Sequence, residues 1–403
     1  MGDYNIEPGA VAWRAQGPLV ELVRTRQVLV VVGAGGVGKT SVAASLALLA
    51  AAHGRRSLVL TIDPARRLAS ALGIEQLADE PSAVPADKLA AVGVGAGLLH
   101  AAMLEQKRTF DEVVARHAAD AETYERVLRN KLYHELSTRL AGGQEYAAME
   151  KLHEVATSGR YDLVVLDTPP TANAVDFLDA PQKMVALVDG PALQIFLRSY
   201  EQAGRFSFGL LTRGSAFIFR RLARFVGGAF LDDVAAFFGD LHALLGGFRQ
   251  RAAMVVELLH RESSSFVVVC SADPRATLEA EALGERLAAS ALRPAAFVIN
   301  RVHHAAPAPA PSETELCDAL RSAGVDAATS QAVGPLLARS AAQSQVLAAG
   351  DAAAIAELRR RCGEEVLYLA VPLLSGDVHD LPALAALAQQ LARPGLAPPT
   401  RRD

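Results

Sequence analysis

Cysteine is scarce in this chain of 403 residues, which has only Cys270, Cys317 and Cys362, all far apart in sequence. This spacing argues against a disulfide framework and against a zinc site of the CxxC type. The chain also lacks an apolar run of about 18 residues, the length needed to span a bilayer. Its N-terminus has no basic segment followed by an apolar one, as a signal peptide has. These absences predict a soluble, cytoplasmic protein with no transmembrane segment.

An excess of charge of either sign is also missing. Lys and Arg total 40 and Asp and Glu total 44, so the net charge is −4. This balance argues against a chain built to coat nucleic acid, and no nucleic-acid partner is expected. Hydrophobic residues make up 51% of the sequence and charged residues 21%, a composition that excludes wholesale disorder.

Short, continuous apolar runs recur along the chain, and each is followed by a turn signal and then by helical periodicity. Such runs are typical of strands buried on both faces, as in a parallel sheet. They are Val28–Val32, Leu58–Ile62, Leu163–Leu166, Phe266–Cys270, Ala295–Ile299 and Val366–Val371, with Leu98–Leu104 as a further candidate. Repeated strand–helix units predict an α/β fold with a doubly wound, mostly parallel sheet, whose loops after the strands lie along one edge.

Two helical insertions interrupt this alternation, at about 105–158 and 189–261, and the second holds ten of the fourteen phenylalanines. The rest of the chain is expected to follow a simple plan. It comprises an N-terminal segment at 1–26, one large domain at 27–390, a Pro/Ala-rich loop at 303–311 and a flexible tail at 391–403.

The most specific motif is Gly33-Ala-Gly-Gly-Val-Gly-Lys39-Thr40, which matches the phosphate-binding pattern G-x-x-x-x-G-K-[ST]. It lies between a predicted strand and an apolar helix, where backbone N–H groups and the positive end of the helix dipole can bind phosphates. Lys39 would reach the β- and γ-phosphates, and the Thr40 hydroxyl would ligate Mg²⁺. The alternative is a glycine-rich turn that binds no nucleotide. The residues expected to contact ATP here are Gly33, Gly35, Gly36, Val37, Gly38, Lys39, Thr40 and Ser41.

Two aspartates follow predicted strands and should face the phosphate loop at the same edge of the sheet. We expect Asp167 to hold the magnesium shell, as the second acidic residue of phosphate-loop enzymes does. We expect Asp63 to orient the attacking water and to accept its proton. Lys39, Asp63 and Asp167 are therefore the predicted catalytic residues, and Thr40 and Asp167 the predicted metal ligands. The alternative for either aspartate is an ordinary helix-cap or turn residue.

These motifs, with Asn300-Arg301 and Val371-Pro-Leu-Leu374, occur in the order found in the ArsA-like ATPases, which the chain resembles over about residues 27–390. That family includes the arsenical-pump ATPase and the ATPase that targets tail-anchored membrane proteins. Three further segments resemble its bacterial ArsA-related subgroup. They are Lys107–Glu112, Gln144–Lys151 and Asp176–Pro181.

The resemblance implies a P-loop NTPase fold with a deviant Walker A motif, and a Mg²⁺-dependent ATPase activity. It puts Asp63 in switch I and Asp167 at the start of switch II. Asn300 would read the adenine edge with Arg301 beside it, and Pro372-Leu373 would line the base. From the residues alone, Asn300-Arg301 after a strand can equally be a plain turn.

The chain also departs from the family pattern. Ala34 stands where family members usually carry a lysine that reaches into the partner's site, so turnover by this chain alone is expected to be weak. We expect a homodimer, or a heterodimer with a related ATPase. The segment Thr171-Ala172-Asn173 lacks the Thr-Gly-His of the tail-anchor targeting branch, and no CxxC follows Asn300. Neither zinc clamping nor arsenite binding is supported.

The phenylalanine-rich insertion at 189–261 is the other candidate site. In the targeting branch the matching region forms a groove that holds a client's membrane helix, so the resemblance suggests a groove for a hydrophobic helix or membrane-protein client. The alternatives are a basic amphipathic surface and ordinary packing of these aromatic side chains on the sheet.

The leading hypothesis is an ATP-hydrolysing dimeric switch whose nucleotide state controls binding of a protein client. One alternative is a small-molecule kinase or ligase, although no second acid–base cluster is visible. Another is a positioning ATPase of the MinD/ParA kind, although those often end in a basic amphipathic helix that 391–399 cannot form. A last alternative is a partner subunit that binds nucleotide and has little activity alone.

Overall fold

One sheet organises the chain in the computed structural model, which describes residues 13, 16–62, 67–139, 143–169, 237, 250–292, 294–303, 310–374 and 376–396. Within these residues the sheet has eight strands in the order β3-β4-β2-β5-β1-β6-β7-β8. All neighbouring strands are parallel except the pair β3–β4. The strands are β1 Val28–Gly33, β2 Ser57–Thr61, β3 Ser82–Ala83, β4 Leu99–Met103, β5 Leu163–Asp167, β6 Ser264–Ser271, β7 Pro294–Val302 and β8 Leu367–Pro372.

Helices connect most of these strands, and a further helical segment covers 250–260. The helices with two described ends are α1 Pro18–Thr25, α2 Lys39–Ala52, α3 Arg67–Leu72, α4 Ala86–Ala91, α5 Gln106–His117, α6 Ala121–Arg129, α7 Lys131–Arg139, α8 Gly143–Thr157, α9 Pro274–Ala289, α10 Glu313–Ser322, α11 Ala327–Cys362 and α12 Leu381–Leu391.

The sheet is buried on both faces, as the continuous apolar runs predict. Along β1, Val28, Val30 and Val32 pack into one hydrophobic core, whereas Leu29 and Val31 pack into the other. Helices α5, α8 and α9 contribute side chains to the first core, and α1, α2 and α12 to the second. The α/β class and the doubly wound, mostly parallel sheet are therefore confirmed. All seven predicted strands form, including the candidate at 98–104.

Three parts of the fold were not predicted or differ from expectation. The antiparallel strand β3 has only two residues, too few to leave a sequence pattern. The core extends before the expected start at residue 27, because Leu19 and Val23 of α1 are fully buried. It also extends into the expected tail at 391–403, since Leu391 and Ala392 are fully buried and the Leu396 N–H donates to the Tyr368 carbonyl at 2.8 Å.

The first predicted insertion, at 105–158, holds the helices α5 to α8, and α8 packs against β5. Most of the second predicted insertion, at 189–261, lies outside the described residues. Within this insertion the structure describes residues 237 and 250–261. The Pro/Ala-rich loop at 303–311 is described only at residues 303, 310 and 311. No helix in the described part of the chain is long and apolar enough to cross a membrane.

Candidate functional site

The phosphate-binding motif forms the connection between β1 and α2. Gly36 and Gly38 have φ angles of 77° and 97°, in the left-handed region that favours glycine. At Gly33 a Cβ would lie 2.1 Å from the Val269 carbonyl oxygen, so this position allows close packing of the loop on β6. Gly38 is the residue before α2 and has no capping side chain, which leaves the first N–H groups of the helix for a ligand.

Lys39 begins α2 and folds back over the loop. Its Nζ donates to the Ala34 carbonyl at 2.7 Å, and the residue is only 6% exposed. An ammonium group folded over a glycine-rich loop concentrates positive charge where phosphate oxygens would bind.

A carboxylate and two hydroxyl groups meet beside the loop. Asp167, the last residue of β5, accepts hydrogen bonds through Oδ2 from Thr40 Oγ1 at 2.7 Å and from Thr61 Oγ1 at 2.9 Å. Thr168 donates from its hydroxyl to the Val31 carbonyl at 2.8 Å, which ties the end of β5 to β1. Parallel pairing of β5 with both β1 and β2 thus brings Asp167 against the phosphate loop.

Asn300 lies near the end of β7 and contacts the phosphate loop from the other side of β6. Its Nδ2 donates to the Val37 carbonyl at 2.9 Å, and its Oδ1 accepts from the Arg301 N–H at 3.0 Å. Arg301 has a φ of 60°, a left-handed conformation that is uncommon for a residue other than glycine.

An open cleft of about 1120 Å³ lies along the carboxyl ends of the strands, as expected for a parallel sheet. Its walls are formed by the phosphate loop, by the first part of α2, by α3, and by the ends of β5, β7 and β8. The lining residues include Gly36, Gly38, Lys39, Thr40, Ser41, Thr168, Asn300, Arg301, Pro372 and Leu373.

The structure therefore brings most of the predicted site residues into one cleft. Asp167 is 1% exposed and lies behind Thr40, so it reaches the cleft through that hydroxyl. Asp63 and the segment Thr171-Ala172-Asn173 lie outside the described residues. Their expected roles in the two switch segments stay predictions.

Besides Thr168, which directly follows Asp167, four polar residues that line the cleft were not predicted. They are Arg67 and Ser70 of α3, and Asp377 and His379 in the segment between β8 and α12. None belongs to a motif with a fixed spacing, so nothing in the sequence pattern marked them. Arg67 could have been found from its position, because it lies four residues after the predicted site residue Asp63.

The residues present fit a magnesium–nucleotide complex. Mg²⁺ prefers carboxylate and hydroxyl oxygens, and Asp167 Oδ2 and Thr40 Oγ1 supply one of each. The phosphates would meet the glycine-lined loop and Lys39, while Leu373, whose side chain is 48% exposed in the cleft, offers an apolar surface for a base.

Comparisons with known proteins agree with this geometry. Residues 26–195 match the sequence model of the ArsA ATPase family, described as anion-transporting ATPases. This part of the chain is similar to that family, which confirms the resemblance that the motifs predicted.

Three relatives illustrate the similarity. An uncharacterized protein of Streptomyces coelicolor is 31% identical over 156 residues, or 39% of this chain and 37% of the relative. A putative arsenical pump-driving ATPase of Chlorobaculum tepidum is 30% identical over 160 residues, which cover 39% of this chain and 36% of the relative. The ATPase GET3 of Malassezia globosa is 25% identical over 286 residues, which cover 71% of this chain and 74% of the relative. The chain thus matches less than half of the length of the first two relatives.

Proposed function

We propose that this chain binds Mg·ATP in the cleft and hydrolyses it to ADP and phosphate. The observation that carries the proposal is the meeting, in one cleft, of the phosphate loop, Thr40 with Asp167 bonded behind it, and the segments Asn300-Arg301 and Pro372-Leu373. The ATPase family of residues 26–195 supports it independently.

Each group has a defined task in this proposal. The loop N–H groups and Lys39 hold the phosphates, and Thr40 and Asp167 would hold Mg²⁺, which when bound neutralises charge on the β- and γ-phosphates. Asp63 orients the attacking water and accepts its proton, as predicted from the sequence. The electrostatic stabilisation of the transferring phosphoryl group is the main catalytic effect.

The proposed activity depends on Lys39, which gives a direct test. Lys39→Ala should weaken ATP binding at least tenfold, or by about 1.4 kcal/mol, because it removes the buried ammonium group from the loop. Titration calorimetry with Mg·ATP measures this. Lys88→Ala is the matched control, because Lys88 lies on α4 and is not among the residues that line the cleft. Equal ATP affinity of the wild type and Lys39→Ala would contradict the proposal.

We further propose that hydrolysis drives a switch that binds and releases a protein client, with the insertion at 189–261 as the client-binding region. Two observations support this: the relatives include proteins named ATPase GET3 and putative arsenical pump-driving ATPase, and the insertion holds ten of the fourteen phenylalanines. We also propose that the active form is a dimer with a related ATPase that carries a lysine at the position of Ala34.

A further inference from the structure

Asn300 links strand β7 to the phosphate loop through a side chain that is almost buried. The residue is 9% exposed, and both ends of its amide have backbone partners. Nδ2 donates to the Val37 carbonyl at 2.9 Å, while Oδ1 accepts from the Arg301 N–H at 3.0 Å. These two bonds together set the orientation of the amide.

The backbone on both sides is adapted to this contact. A Cβ at Gly38 would lie 2.4 Å from Asn300 Nδ2, so any other residue at 38 would displace the amide from Val37. Arg301 takes a left-handed conformation with φ of 60°, in which its N–H reaches back to Asn300 Oδ1. A strained backbone on one side and an obligatory glycine on the other indicate that the position of the amide matters.

The bond to Val37 also has a consequence for phosphate binding. A trans peptide is planar, so fixing the Val37 carbonyl toward Asn300 points the following N–H, that of Gly38, in the opposite direction. Gly38 lines the cleft, and its N–H is one of the loop donors that would meet a phosphate oxygen. The hydrogen bond from Asn300 therefore determines whether the Gly38 N–H already points toward the phosphate site before a ligand binds.

We propose that Asn300 is a positioning residue for the phosphate loop, in addition to its expected contact with the base. The proposal rests on the nucleotide site proposed above and deepens it. It makes Asn300 necessary for binding the phosphate chain itself, with or without a base attached. A residue that only reads adenine would have no such effect.

Ligands that carry the same phosphate chain with adenine, with another base or with no nucleoside separate these two roles. The affinities of wild type and Asn300→Ala for Mg·ATP, Mg·ITP and inorganic tripolyphosphate with Mg²⁺ can be measured by competition against a fluorescent ATP analogue. A positioning role predicts that all three affinities fall, each at least about fivefold, the factor that corresponds to one hydrogen bond of about 1 kcal/mol. An unchanged affinity for tripolyphosphate would overturn the proposal, whatever happens to ATP.

Two further variants complete the test: one replaces Asn300→Ala if that variant does not fold, and the other is a control. Asn300→Leu has about the size of asparagine but neither the amide donor nor a charge, so it should lose tripolyphosphate affinity about as strongly as Asn300→Ala. It replaces Asn300→Ala in the test if thermal unfolding shows that Asn300→Ala does not fold. Asn130→Ala is the matched control, because Asn130 also accepts a backbone N–H, from Leu132 at 2.9 Å, but is not among the residues that line the cleft. Its affinities should equal those of the wild type.

A double-mutant cycle tests the contact between Gly38 and Asn300 directly. Gly38→Ala should weaken tripolyphosphate binding, and the factor should be at least about threefold smaller in the Asn300→Ala background, where the new methyl group no longer displaces the amide. The strain of a left-handed alanine is common to both backgrounds and cancels. Additive losses would overturn the proposal. A wild-type chain that binds no ATP would instead contradict the proposed function itself.

Discussion

At the scale of single residues, Asp167 is the carboxylate on which the metal chemistry depends. It is 1% exposed and accepts hydrogen bonds from two threonine hydroxyls through one oxygen. An asparagine at 167 could still accept both bonds, because its amide oxygen occupies the same position, but it would carry no negative charge. The substitution should therefore preserve the fold and remove the attraction for Mg²⁺.

We expect Asp167→Asn to raise the Mg²⁺ concentration needed for ATP binding at least about tenfold, or ~1.4 kcal/mol. Calorimetric titration of ATP at a series of Mg²⁺ concentrations measures this requirement. Asp162→Asn is the matched control, since Asp162 lies just before the same strand, at the opposite edge of the sheet, and pairs with Arg56 at 2.7 Å. An identical Mg²⁺ requirement for wild type and Asp167→Asn would remove Asp167 from the metal site.

At the scale of elements, α8 contacts both the residue after β2 and the helical segment at 250–260. Near its start, Gln144 Nε2 donates to the carbonyl of Ile62, the residue before Asp63, at 3.0 Å. In its middle, Glu150, which is 1% exposed, accepts from Arg251 Nε at 2.7 Å and from Arg116 Nη1 at 2.9 Å. Arg251 belongs to the helical segment at 250–260, so we expect a movement at Ile62 to reach that segment through α8.

This connection predicts that nucleotide changes the protection of residues 250–261. Hydrogen exchange with ADP and with a non-hydrolysable ATP analogue should differ there, and Gln144→Ala should reduce the difference at least twofold while ATP affinity stays about the same. The matched control is Gln27→Ala, because Gln27 donates to the Ala156 carbonyl at 2.8 Å, at the other end of α8. Equal protection in both nucleotide states would show that α8 does not couple the site to the insertion.

Features that depend on local sequence could be predicted, whereas contacts between residues far apart in the chain could not. The strands were predictable because each is buried on both faces, so its apolar run is continuous, and their parallel pairing put Thr40, Asp167 and Asn300 at one edge. The role of Asn300 toward Val37 was not predictable, because that bond joins residues 263 positions apart. Helix α1 was missed because its short amphipathic pattern, Leu19, Val20 and Val23, resembles that of any surface segment until α2 packs against it.

At the scale of the whole molecule, the open question is what completes the site. The phosphate loop and the ends of β5, β7 and β8 contribute to the walls of the cleft, which is open among the residues that the structure describes. By its family resemblance, a dimeric ArsA-like ATPase would extend a lysine from its partner into this space. Position 34 of this chain carries a methyl group instead, while its carbonyl is used by Lys39. A homodimer would then have two sites that lack the charge from across the interface.

We therefore expect the chain alone to hydrolyse ATP slowly, and Ala34→Lys to hydrolyse it at least about tenfold faster, because a cationic group supplied from a partner can be worth about 10³-fold in phosphoryl transfer. Phosphate release per chain, measured over a range of chain concentrations, distinguishes a contact made across a dimer from one made within a single chain. Only with a contact across the dimer does the rate per chain rise as the chains associate.

Ala34→Gln controls for the longer side chain without its charge and should behave as the wild type. A related ATPase with the lysine, added to the wild-type chain, should restore the same rate at one site per pair. If the wild-type chain alone forms a homodimer that turns over as fast as Ala34→Lys, the heteromeric arrangement is wrong and position 34 has no part in catalysis.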